Sequence, residues 1–153
     1  MASMVPFGLA LPPDAMASFR GFILRDKPDI PDDSYQFQEW YCPDPDCDCF
    51  QALLKVFAVQ QKSYLASVYV PFNPALAPFL DPKSTITPTA LALRELITQH
   101  LHEDPAYLER LRDHYWLVRR VAVDRKHPAH AALTEWTTAA AKAAANKSKR
   151  KKR

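Results

Sequence analysis

Cys42, Cys47 and Cys49 fall within eight residues, and the chain has no other cysteine. Thiolate and imidazole are the ligands zinc prefers, and a closed tetrahedron of four such groups is the usual structural site. Cys47 and Cys49 stand two apart at the start of an extended apolar run, which points both to one face. Pro43, Asp44, Pro45 and Asp46 are turn formers that can bring Cys42 back over them. The C-x4-C-x-C spacing therefore predicts three ligands of a Zn2+ site that staples the end of one strand to the beginning of the next. Plainer readings compete, because cysteine is often a small buried hydrophobe, and a redox or disulfide role needs only two of the three. Asp44, Asp46 and Asp48 would suit a hard cation, but thiolates favour zinc over calcium or magnesium.

A fourth ligand must come from elsewhere in the chain. Of the five histidines, His114 is the choice: with Leu111, Val118 and Val121 it falls at helical spacing on one stripe, facing where a sheet must pack. His100 lies on another inward stripe and competes, as does an aspartate. His100 and His102, two apart on a helix, diverge and do not form a pair of their own.

The elements that must position these groups read as α+β: a three-stranded antiparallel meander packed against two to three C-terminal helices, with an irregular N-terminal arm. Residues 1–33 are rich in proline and form that arm, with room for a short helix at Ala15–Leu24 behind Asp14. Residues 34–137 form a single metal-binding domain. Within it, residues 34–41, 50–59 and 63–72 are strand-like and linked by short polar segments. Thr87-Pro88 and Asp104-Pro105 are helix starts; the first helix carries Leu93, Leu96, Ile97, His100 and Leu101, and the second buries Leu108, Leu111, Tyr115, Val118 and Ala122 and ends near Val123. A third helix opens at Pro128. Residues 138–153 are an alanine-rich segment expected to fray, followed by a basic run expected to be disordered.

At 153 residues the chain suits one compact core. Its formal charge is +3, but Lys147, Lys149, Arg150, Lys151, Lys152 and Arg153 carry six positive charges, which leaves residues 1–146 at −3. A basic tail on a slightly acidic body could tether the protein to nucleic acid or a ribosome through sequence-blind phosphate contacts, or simply be solvated. Gly8 and Gly21 are the only glycines, which excludes a P-loop and a dinucleotide-binding G-x-G-x-x-G turn. H-E-x-x-H, G-x-S-x-G and the zinc-deaminase signature are absent too. The apolar start lacks a basic region and is broken by Pro6, Pro12 and Pro13, unlike an export signal, and no run is long enough for a membrane span. With an odd cysteine count, this predicts a cytoplasmic protein in a reducing compartment.

Tyr41 through Cys49, then Tyr64-Leu65-Ala66-Ser67-Val68-Tyr69, Leu80-Asp81-Pro82 with Ser84, and Tyr107 through Tyr115 together resemble an uncharacterised bacterial zinc-binding domain of the type often found upstream of a SEC-C motif. The likeness spans residues 34–120. It implies that the cysteine cluster and the His114-Tyr115 pair belong to one metal site, and it implies no established reaction. The SEC-C cysteines themselves are absent here, and with them the adaptor-like binding that module would bring. The expectation is a non-catalytic zinc protein with a Cys42, Cys47, Cys49, His114 site joining sheet to helix and presenting a surface to a protein partner.

Overall fold

The computed structural model describes residues 3–153. Its centre is the antiparallel run β3 (Asp33–Tyr41), β4 (Gln51–Ala58) and β5 (Ser63–Pro71), as the apolar alternation predicts. The sheet is larger than a three-stranded meander, because the N-terminal arm is not irregular throughout. β1 (Val5–Pro6) pairs with Trp40–Tyr41 at one end of β3, and β2 (Arg20–Leu24) pairs with Asp33–Phe37 at the other. β6 (Phe79–Leu80) pairs with Val68–Tyr69 of β5. The sheet order is β1-β3-β4-β5-β6, with β2 sharing the β3 edge. Residues 20–24 form no helix: the open edge of β3 offers them backbone partners, and Phe22 packs 5.0 Å from Phe37.

One face of the sheet turns Tyr35, Phe37, Glu39 and Tyr41 of β3, Ala52, Leu54 and Val56 of β4, and Val68 and Val70 of β5 toward the helices, all buried. α1 (Pro88–Glu103) starts as predicted, with the Ala90 amide donating to the Thr87 hydroxyl at 3.0 Å and Pro88 in the first turn. α2 (Pro105–Val123) follows and buries Tyr107, Leu111, Tyr115, Val118, Arg119 and Val121. The carboxylate of Asp104, ahead of α2, pairs with Arg20 of β2 at 3.2 Å, which ties the helix start to the sheet edge.

Asp33 holds the far end of the sheet. Its carboxylate accepts from the amides of Gln60 and Gln61 at 2.8 and 3.1 Å, in the β4–β5 turn where Lys62 is left-handed, and from its neighbour Ser34. Burial raises the Asp33 carboxyl, but these amides outweigh it and hold the group below its ordinary value.

α3 (His130–Lys151) runs straight through the segment expected to fray and into the basic tail. Alanine and lysine are strong helix formers, and Lys149, Arg150 and Lys151 sit in the last turn, where cations complement the helix dipole. Beyond Leu133 the helix buries no residue.

Candidate metal centre

β3 ends at Tyr41, and the next residue, Cys42, is fully buried. The chain then turns through Asp44, whose side chain accepts from the Asp46 amide at 2.9 Å while its carbonyl accepts from the Cys47 amide at 3.2 Å. This double turn carries Cys47 back toward Cys42. Phe50 then takes a left-handed φ of 32° before β4 begins, and its carbonyl accepts from Phe72 at 3.0 Å. For a bulky residue that conformation costs about 1–3 kcal/mol and persists only where the surroundings enforce it. Here the Phe50 ring packs 5.9 Å from Tyr115 and 6.0 Å from Trp116 of α2.

The outcome is that the ligand atoms of Cys42, Cys47 and Cys49 all lie within 4.8 Å of one another. A zinc tetrahedron with Zn–S of about 2.3 Å has S···S edges of about 3.8 Å, so small side-chain rotations close the set on an ion. Three thiols so placed can hold a metal ion. Burial raises the Cys42 thiol, and burial with the neighbouring sulfurs pushes Cys49 up to about 12. Cys47, nearer the surface, is lowered, chiefly by hydrogen bonding with Cys49.

His114 is not with them. Among the described residues the metal-capable cluster holds the three cysteines alone. His114 instead places Nδ1 2.6 Å from Glu39 Oε1 and stacks flat on Phe7 at 3.9 Å. The helical stripe does turn it inward, but onto Glu39, two residues short of the end of β3, while Tyr115 and Arg119, farther along α2, lie beside Cys49. His100 lies between Phe22 and Tyr107, its ring held below the ordinary histidine range by burial and by Arg20. Asp44 spends one carboxylate oxygen on its own turn.

Of the two groups beside the thiols, Tyr115 was expected there from the resemblance, and Arg119 escaped the sequence reading. Arg119, buried, places Nη2 3.5 Å from Cys49 Sγ and its guanidinium carbon 4.3 Å over the Tyr115 ring. The Tyr115 hydroxyl is buried without a partner, and burial together with nearby Cys49 raises it to about 12. The signal was present, since Leu111, Tyr115 and Arg119 follow at steps of four along one helix face. Glu39 was legible in the same way: it shares the two-residue register of Tyr35, Phe37 and Tyr41, which face inward, and so had to be buried with them. Its Oε1 also accepts from the Tyr41 hydroxyl at 2.6 Å.

No helix among the described residues is long and apolar enough to cross a membrane. No family model, curated protein or solved structure matches the chain, so the resemblance to the SEC-C-associated domain rests on its motifs alone.

Proposed function

We propose that the chain is a non-catalytic zinc-binding protein in which Cys42, Cys47 and Cys49 hold the ion at the β3–β4 junction, against α2. The convergence of three sulfurs from one tight turn carries this reading. With His114 committed to Glu39, the fourth position falls to a ligand from outside the chain, such as water. An open position is also the pattern of catalytic zinc. Hydrolytic zinc sites with three cysteines, however, work with a general acid–base Glu in a signature that this sequence lacks. The role is to fasten the turn, hold Phe50 in its strained conformation and keep the Phe50–Trp116 surface in shape for a protein partner. Free thiols suit a reducing compartment, which favours the cytoplasm. Protein purified without added chelator should contain one zinc per chain by elemental analysis, and Cys47→Ser should abolish it. Metal retained at full stoichiometry in Cys47→Ser would defeat the proposal.

A second reading draws on α3, which carries Lys147, Lys149, Arg150, Lys151, Lys152 and Arg153 as exposed residues at the end of a helix beyond its last buried side chain. Such an arm suits the phosphate backbone of nucleic acid or a ribosome. Each neutralised phosphate contributes about −0.9 to the slope of log affinity against log salt on duplex DNA. Removal of residues 147–153 should abolish low-salt binding to duplex DNA or RNA in a mobility-shift titration; unchanged affinity would rule the arm out.

A further inference from the structure

We propose that Arg119 is the outer-sphere cation of the metal centre and that its charge makes the three-cysteine set selective for divalent ions. This rests on the cysteine reading above. Three thiolates around a divalent ion leave one net negative charge. Around a trivalent ion such as arsenic(III) they leave none. A buried ion is stable only when its charge is matched nearby, and Arg119 is buried and permanently cationic. Among the described residues it forms no ion pair with a carboxylate.

Its contacts point to the sulfurs. Nη2 lies 3.5 Å from Cys49 Sγ, and Nε is buried with no partner. Stacking on Tyr115 at 4.3 Å fixes the plane of the guanidinium but supplies no anion. The Tyr115 hydroxyl, also buried, lies close to the same Cys49 thiol. The Arg119 guanidinium and the Tyr115 hydroxyl therefore stand beside sulfurs that become thiolates when a metal displaces their protons. A neutral thiol cluster gives them little to bind. A divalent centre gives each a charge-assisted acceptor, either thiolate sulfur or a fourth ligand on the ion.

Arg119 acts through Cys49 and not on the metal, so its test needs a readout that a packing role would not move. Wild type, Arg119→Gln and Arg119→Lys are titrated in parallel with Co2+, followed by thiolate-to-metal charge-transfer absorption and chelator competition, and with arsenite, which takes three thiols and releases three waters. Arg119→Gln should weaken Co2+ by about 10–100-fold, as loss of an outer-shell partner does. Arg119→Lys should recover much of that loss, and arsenite affinity should be unchanged in all three proteins. Equal losses for both ions, no loss for either, or no recovery with lysine would overturn the role of Arg119 and leave the cysteine site standing. A wild-type protein that takes up neither ion would instead sink the metal reading itself.

Discussion

Glu39→Ala is expected to lower the unfolding free energy by about 3–5 kcal/mol, the range for removing one partner of a buried charged network. For a domain of this size that corresponds to a melting point lower by about 6–20 °C. Glu39 is fully buried, and one of its oxygens takes both the Tyr41 hydroxyl and His114 Nδ1 at 2.6 Å. Alanine strands the Tyr41 hydroxyl in the core and takes the partner from partly buried His114, and a buried polar group left unpaired costs about 1–3 kcal/mol. Glu39→Gln keeps the volume and an acceptor, so its loss should be smaller. The triple variant Glu39→Leu, Tyr41→Phe, His114→Leu removes the whole polar set and should recover most of the stability lost in Glu39→Ala. Urea unfolding with an unchanged slope checks all three. A triple variant no better than Glu39→Ala would show that shape, and not hydrogen bonding, holds this part of the core.

Stripping the metal should produce the other large effect. An ion present at about 1,000 times its dissociation constant stabilises the fold by up to about 4 kcal/mol, so chelation should lower the melting point by at most about 8–16 °C. The loss should be local before it is global. Without the ion, only ring packing on α2 and the Phe72 hydrogen bond oppose relaxation of Phe50 from its φ of 32°. Amide exchange should therefore rise first in residues 42–50 and in Phe72, whose amide bonds to the Phe50 carbonyl. Uniform exchange across the sheet on chelation, or none at all, would contradict a fastening role.

Much of the fold was legible because its signals are local. The strand patterns in residues 34–41 and 50–59 and the Thr87-Pro88 and Asp104-Pro105 starts each report a choice made within a few residues. β1 and β2 were not legible, since two and five residues from a proline-rich arm become strands only because β3 leaves them an edge. The cysteine cluster was visible for the same reason as the helix starts. The position of His114 was not. Periodicity shows that a side chain faces inward, but whether it meets Glu39 within β3 or the cysteine turn just beyond the strand depends on how α2 slides along the sheet. That placement is governed by Tyr107, Leu111 and Tyr115 packing on β-strand side chains far away in sequence. The reach of α3 was underestimated because the tail was judged on what it could bury, while alanine propensity and the charges of its last turn act without burial.

All three sulfurs come from one eight-residue stretch, and this bears on the denatured chain. Closing so short a loop carries little entropic penalty, so the unfolded polypeptide keeps a share of its affinity for the ion. Ligand that binds both states stabilises less than its native affinity implies. The ion should accordingly remain attached through much of a urea transition, and it can organise the β3–β4 connection early in refolding, before α2 delivers Arg119 from 70 residues away.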